Sequence, residues 1–550
     1  MNFMVFTLHR YIFRELFRVF VLATAALTVM LSLGIILPPV QEYGIGPRQV
    51  VHIMGYFLPV TLTFVLPIAA LFAASLVYGR FASDNELDAC RASGISLTTL
   101  VYPGLALAIM VAIANLLLSF HVMPAFVHRA TRSLKADAKQ ILFRNIQRKG
   151  YYKLPPEEQY LIYADLADSQ SDTLCGVVVV EVKRGSVGRI TTAENAQVRF
   201  NPHERFNEVQ ITAHNTYQMD PDGGGAFAEW LSLTAEFGSL LGDDIKFKDL
   251  DEMKRIRDVD LTLFDPIAKL SRRVYAQLTA EVLAQDIAAK MAADAGSFCK
   301  LHSGERFVEF NATQCAVQEE RKIELSGTVV VAESGIVVEA DVVRKQPLRT
   351  FRCARAALYV EGDELSPTLT MELYNPTWQG DDGSSVPAWG RVRIRGLLLP
   401  ESVKNITDEF RTEDSLKARE LASRLSPLRE GPSLELKGLQ NTLQRRIQRT
   451  LAEIEAETHS RLVFGIGCVS MILIGIGLGI ILRGGHLLSA FGSSCVPAAV
   501  LIVCIMSGKQ IVENPGAARN VGSSGIVLMW TGLVVLSVLA VIIYRRLLRH

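Results

Sequence analysis

Three small groups of residues carry the chemistry this chain can do. The first is the stretch Gly79 to Ser96, GRFASDNELDACRASGIS, where Ser83, Asp84, Glu86, Asp88 and Arg91 bring a hydroxyl, carboxylates and a guanidinium together. Ser83-Asp84-Asn85-Glu86 has the spacing of a capping box, and its acids sit where the positive end of a helix dipole favours them. The expected element is a short polar helix over residues 80–94, with Leu87 and Ala92 as its apolar edge and Gly94 as a flexible exit. Such a helix can dock and ion-pair; the plainer alternative is a solvated loop with a satisfied cap. The second group is cationic: Arg48, Arg129, Arg132 and Lys135. These residue types bind phosphate through charge-assisted hydrogen bonds, or simply anchor a chain to anionic headgroups. The third is the cysteine set 175, 299, 315 and 353, which allows three pairings in an oxidising compartment. Cys299 with Cys315, the closest pair in sequence, is the expected bridge.

Other chemistry is excluded by what the chain lacks. It has no Gly-x4-Gly-Lys-[Ser/Thr] with which to cradle a nucleotide, no His-Glu-x-x-His, no Cys-x-x-Cys and no Gly-x-Ser-x-Gly. The ten histidines are scattered. The chain therefore reads as no enzyme, with no cofactor, and any energy it uses must arrive from a partner. A formal net charge of +1 over 550 residues gives no basic field for nucleic acid.

The elements that must position these residues are mostly apolar. Hydrophobic residues make up 49% of the chain, and the mean hydropathy is +0.24, which marks a membrane protein with a large polar region. Uncharged runs at about 19–40, 53–78 and 96–120 are each long enough to cross a hydrocarbon core of about 30 Å. Three more follow at about 462–482, 487–508 and 521–544. A signal peptide is the rival for the first run, but its only Ala-x-Ala, at Ala23 to Ala25, lies near the start of the apolar stretch instead of its end. Pro59 and Pro67 predict a kink in the second. Gly475-x3-Gly479 in the fourth permits close helix approach, either as packing or as a moving seam.

Charge placement orients the six. Arg10, Arg14, Arg18, Arg80, Arg91, Arg483, Arg545, Arg546 and Arg549 fall on one side, whereas the short opposite loops hold Arg48, Lys509 and Arg519. The positive-inside rule then puts both termini and the 80–94 helix in the cytoplasm, and residues 124–460 outside. The domains expected are an N-terminal membrane half at 1–123, an outer region at 124–460 and a C-terminal membrane half at 461–550.

Within the outer region, alternating runs predict a β unit at about 150–240, with a turn at Asp220-Pro-Asp-Gly-Gly-Gly. Helical spacing from Ile267 to Ile287 predicts an amphipathic helix at about 265–291. A second β unit follows at about 320–400, and a helical return at about 415–460 runs into the fourth span. The two β units match each other at an offset of roughly 160 residues, Arg189 with Arg349, Asn215 with Asn375 and Trp230 with Trp389, as a duplication or as chance recurrence of strand alternation.

Leu66-Pro67-Ile68-Ala69-Ala70-Leu71, Gly79-Arg80, Asp84, Glu86-Leu87, Arg91-Ala92-Ser93-Gly94-Ile95-Ser96 and Pro103 together resemble the LptF/LptG family, also called YjgP/YjgQ. These are permease subunits of the lipopolysaccharide export ABC transporter. The resemblance implies an α+β membrane protein with six transmembrane helices, three on each side of a periplasmic jellyroll-like β domain, in the bacterial inner membrane. It implies extraction of lipopolysaccharide or a related glycolipid and its passage to a periplasmic bridge protein of jellyroll fold. The implied partners are a cytoplasmic P-loop ATPase dimer and a second six-span permease chain, a paralogue or a second copy. In that family the segment holding Ser83, Asp84, Glu86, Leu87, Arg91 and Gly94 is the coupling helix that enters a groove of the ATPase. Glu86 and Arg91 are then its polar anchors and Leu87 its apolar knob. The family's basic residues near the outer ends of the first spans have no match inside the first span here, so Arg48, Arg129, Arg132 and Lys135 are the substitutes for lipid-phosphate contact. The competing function is a membrane-anchored sensor or scaffold whose outer β domain binds a ligand. A permease of the mechanotransmission type is disfavoured, because it has four spans.

Overall fold

The computed structural model describes residues 2–43, 47–136, 138–153, 160–183, 186–202, 207–219, 225–237, 243–293, 298–303, 306–318, 322–339, 342–363, 366–379, 385–387, 390–412, 415–423, 428, 431–482, 487–513 and 521–549. The expected turn at Asp220, and Trp389, Arg483 and Arg519, lie outside the described residues. By internal contacts the chain divides into two units. One holds Met1–Gln218, Phe227–Met253 and Arg449–His550; the other holds Met219–Ala226 and Lys254–Gln448.

The first unit opens with α1 (Asn2–Tyr43), α2 (Pro47–Ser83), α3 (Glu86–Ala92) and α4 (Leu97–Leu117). A π-helical turn at Leu118–Val122 joins α4 to α5 (Met123–Ala136), and α6 (Ala138–Lys149) follows. The third span therefore continues as helix well beyond its expected end at residue 120, because the π turn shifts the hydrogen-bond ladder without breaking it. Strands β1 (Tyr151–Lys153), β2 (Tyr160–Asp168), β3 (Thr173–Lys183), β4 (Ser186–Pro202), β5 (Asn207–Met219) and β6 (Gly225–Phe237) form one antiparallel meander in chain order. Ile141, Leu142, Phe143 and Ile146 of α6 bury one face of this sheet against Ile162, Leu174, Val177, Val198 and Ile211. That is the hydrophobic-in, polar-out pattern of a half-covered antiparallel sheet.

The second unit contains most of α7 (Leu250–Asp258), then α8 (Asp265–Ala293), the amphipathic helix expected at about 265–291. Strands β7 (Cys299–Ser303), β8 (Arg306–Asn311), β9 (Gln314–Gln318), β10 (Lys322–Glu339), β11 (Val342–Asp363), β12 (Ser366–Tyr374), β13 (Thr377–Gln379), β14 (Ser385–Pro387) and β15 (Arg391–Leu398) make one nine-stranded sheet. Its order is β14-β13-β11-β12-β15-β7-β8-β10-β9, with β10 also paired to β11. Helices α9 (Glu401–Thr407) and α10 (Ala418–Ser423) follow, and both pack on α8. The neighbour order β10-β11-β12-β15 repeats that of β3-β4-β5-β6. Asn215 and Asn375, matched by the roughly 160-residue offset, both have left-handed backbones, with φ of 51° and 45°.

Glu372 organises the polar face of the second sheet. Its side chain is 4% exposed and lies 2.9 Å from Arg393 and 3.7 Å from Arg391, while the Tyr374 hydroxyl donates to it at 3.0 Å. Burial alone pushes this carboxyl up, but the two guanidiniums and the tyrosine outweigh it and hold the group below the ordinary carboxylate range. A depressed folded value means the stabilisation is present above an unfolded pKa of about 4.3 and is lost as the pH falls through the folded one. Glu372→Gln is expected to cost about 2 kcal/mol at neutral pH, less than a fully buried pair because both arginines are partly solvated. Denaturation midpoints measured from pH 6 to pH 3 should converge for the two proteins at the acid end.

The chain returns to the first unit along α11 (Leu434–Ile481), a single helix that carries the charged return directly into the fourth span; it starts at Leu434, capped by Ser433 after Gly431 at φ 80°, and not at about 415 as expected. Helices α12 (Leu487–Glu513) and α13 (Val521–Arg549) complete it. Among the described residues six helices are long and apolar enough to cross a membrane: Phe6–Gly34, Met54–Ser83, Leu97–Ser133, Leu434–Ile481, Cys495–Glu513 and Ser524–Leu548. The architecture is α+β, three spans on each side of a β-rich insert.

Candidate functional site

The polar stretch between the second and third spans is not one helix with a Ser83 cap. Helix α2 runs through Ser83, whose hydroxyl donates to the Arg80 carbonyl at 2.9 Å inside the same turn. The chain breaks instead at Asn85, which sits in the left-handed region at φ 58°, and α3 starts at Glu86 with no side-chain cap. Asparagine is one of the few L residues to visit that region readily. The Ser-x-x-Glu spacing is present, but the preceding helix has not ended, so its serine is already engaged. The cap that does form lies further on, where Ser96 accepts from the Thr99 N–H at 3.3 Å and starts α4.

The exit of α3 matches expectation. Gly94 has φ +85°; its N–H donates to the Arg91 carbonyl at 2.9 Å, and that of Ile95 donates to Cys90 at 3.1 Å. This closing pattern satisfies the last carbonyls of the helix and reverses the chain into α4. Leu87 departs from expectation: it is 5% exposed and packs inward with Val77, Tyr78, Phe81 and Leu100. The outward apolar knob is thus corrected to an inward anchor, because burial against the spans gains more than exposure to water. Ser83, Asp84, Glu86, Arg91 and Gly94 face outward, and Arg91 lies 4.0 Å from Asp88. Burial, with the Glu86 carboxylate adding to it, holds the Cys90 thiol above its ordinary value, so it stays a protonated packing residue.

The helices around α3 are tied to one another. Arg80 pairs with Glu15 of α1 at 3.2 Å, a ring nitrogen of His9 lies 2.9 Å from the Thr99 carbonyl, and the buried Tyr78 hydroxyl donates to Leu100 at 2.9 Å. A polar elbow is therefore mounted on a stiff base.

Of the cationic group, Arg129 and Arg132 stand exposed on α5 three residues apart, on neighbouring positions of one helix face. Arg129 rests 5.4 Å from the Phe126 ring. Arg48 and Lys135 lie on α2 and α5, with side chains outside the described residues. Cys299 and Cys315 are free thiols in this structure, contrary to the expected bridge. Closeness in sequence does not put them opposite each other: Cys299 pairs with Phe310 on β8, whereas Cys315 pairs with Leu325 on β10. Burial pushes the Cys315 thiol up to about 12. Among the described residues no group of three His, Cys, Asp or Glu could hold a metal ion.

One charged centre escaped sequence reasoning. Arg461 of α11, 3% exposed at its side chain, donates to Glu457 at 2.9 Å and to the carbonyls of Ser119, Lys248 and Lys246 at 3.0, 3.1 and 2.9 Å. Lys509 of α12 closes on the other oxygen of Glu457. The available signal was two opposite charges four residues apart on a helix about to enter lipid, where an ionisable pair is costly unless it is satisfied.

These features define a polytopic membrane protein whose two three-span halves flank a β-rich insert. Residues 10–270 and 345–546 match the family described as lipopolysaccharide export system permease LptF/LptG, and the chain belongs to that family. At the family level it is thus a multi-pass inner-membrane permease of lipopolysaccharide export. Most of α8 and all of β7 to β10 fall between the two matched segments. No curated protein matches the chain.

Proposed function

We propose that this chain is the permease subunit of an ATP-driven transporter that lifts lipopolysaccharide or a related glycolipid out of the inner membrane and passes it to a periplasmic bridge protein. The observation that carries this reading is the mounting of α3: outward carboxylates and a guanidinium on a helix locked to α2 by Leu87 and to α4 by the Gly94 reversal. A P-loop ATPase dimer that grips such an elbow moves the second and third spans with it as a rigid body. This reading puts α3 and both termini in the cytoplasm, in line with the arginine-rich side of the sequence. Glu86 and Arg91 then serve as the polar contacts, with Ser83 and Asp84 beside them and Gly94 as the pivot.

A second six-span chain, a paralogue or another copy, completes the pathway. Support comes from the open apolar faces of α1 and α12, where Leu22, Met30, Val496 and Met506 are more than 60% exposed. Arg129 and Arg132 are suited to lipid phosphate, with Arg48 and Lys135 as further candidates.

Glu86→Lys reverses charge at an exposed position, so the protein should still insert and copurify with its second permease chain. Lipopolysaccharide release from proteoliposomes supplied with the ATPase should fall at least tenfold, while ATP hydrolysis continues. Unchanged release would remove Glu86 from the contact. A chain that brings down no ATPase at all would point instead to the sensor or scaffold role.

A further inference from the structure

Where α2, α4, α11 and α13 converge on α3, they leave a cleft of about 300 Å³. Its apolar lining includes the buried Leu87 and Leu97 and the partly buried Ile480 and Leu547. Its polar lining is Arg91, Arg546 and Asp88, two cations against one anion, so the cleft carries a cationic surplus. Its position follows from the same helices: the spanning segments start at Leu97 and end at Ser83, Ile481 and Leu548, which sets the cleft at the level where the chain leaves lipid. A small cavity of ligand size, apolar within, cationic and open at the bilayer boundary, matches an amphiphile bearing an anionic head.

We propose that this cleft binds the headgroup of an anionic phospholipid from the surrounding leaflet, with its phosphate between Arg91 and Arg546 and its first methylenes over Leu97 and Ile480. Leu87, Arg91 and Leu97 precede the β-rich insert, whereas Ile480, Arg546 and Leu547 follow it. A bound headgroup therefore clamps α13 to α3 and joins the N-terminal and C-terminal membrane halves at the elbow. Soluble phosphate offers the same charge without the apolar part, so the lining favours lipid; Arg91 is shared with the ATPase contact proposed above, and the lipid occupies the cleft of the chain before the ATPase docks.

The test uses the full chain in detergent micelles with no ATPase present, so it stands or falls apart from the coupling role proposed for α3. Phosphatidylglycerol and phosphatidylcholine of identical acyl chains are titrated, with inorganic phosphate as a third arm, and retained lipid is counted by native mass spectrometry beside the thermal unfolding midpoint. Phosphatidylglycerol should be retained and raise the midpoint, phosphatidylcholine should not, and phosphate alone should have no effect. Arg546 is exposed, so R546Q should fold normally yet bind phosphatidylglycerol about tenfold more weakly, the loss of one charge-assisted contact. Arg545, its neighbour outside the cleft, supplies the control: R545Q should bind as the unaltered chain does. Equal binding by R546Q, equal losses in R545Q and R546Q, or stabilisation by phosphate alone would each overturn the proposal. So would a cleft that retains no lipid and becomes protected only when the ATPase is added, which would assign it to a protein contact.

Discussion

Arg461→Met should destabilise the membrane unit by about 4 kcal/mol, because it breaks a buried ion pair from one side only. The loss has three parts. Glu457 keeps a single cation, Lys509, for a carboxylate that is 10% exposed. The carbonyls of Ser119, Lys246 and Lys248 lose their donor. The Phe120 ring loses the guanidinium that rests 5.5 Å from its centroid. Ser119 and Phe120 belong to the π-helical turn, so the same substitution frees the point where the third span changes register. Arg461→Lys retains the charge but cannot serve three carbonyls from one fork, and its cost should be about half as large. Unfolding in detergent, followed by loss of solubility with temperature, would rank the three proteins. Equal midpoints for Met and Lys would show that the retained charge contributes nothing and that the guanidinium fork alone matters at this position.

The spans were legible in the sequence because crossing a membrane imposes length and composition on consecutive residues, and both can be read without knowing any contact. The helix at Asp265–Ala293 was legible for the same reason, through its periodicity. The capping box at Ser83 misled because a four-residue pattern says where a helix is able to start, not whether the previous one has stopped. Asn85, with its tolerance for positive φ, held the better clue. Leu87 was misplaced for a related reason: an isolated leucine on a short polar helix reads equally well as knob or anchor until the neighbouring helices are in place. Of the Arg461 centre only the i,i+4 pair with Glu457 was within reach; its closure by Lys509, and the cleft under α3, were not. Lys509 lies 52 residues from Glu457, and Arg546 closes a cleft with Arg91 from the far end of the chain; nothing local encodes either meeting.

Gly479→Leu is expected to cost about 3 kcal/mol, at the upper end for overpacking, because the atoms in its way belong to backbone. A Cβ at Gly479 would stand 2.9 Å from the Ser75 carbonyl oxygen and 3.1 Å from the Gly79 nitrogen, neither of which can swing aside. Gly475, one turn earlier, meets Leu71 and Ser75. The small-residue stripe of the fourth span is thus the bed on which α2 lies, within one chain. Two contrasts isolate the cause. At Gly467 the obstacle is the end of the Leu501 side chain at 2.6 Å, which can change rotamer, so Gly467→Ala should cost less than Gly479→Ala. At Gly438 nothing lies within 4 Å, and Gly438→Ala should stabilise α11 by about 1 kcal/mol through helix propensity alone. Since α2 leads directly into the α3 elbow, prising it from α11 should weaken transport as well as folding, and lipopolysaccharide release from proteoliposomes should fall further for Gly479→Ala than for Gly467→Ala. Equal release by the two would mean that the α2–α11 seam gives way during each cycle and carries no force.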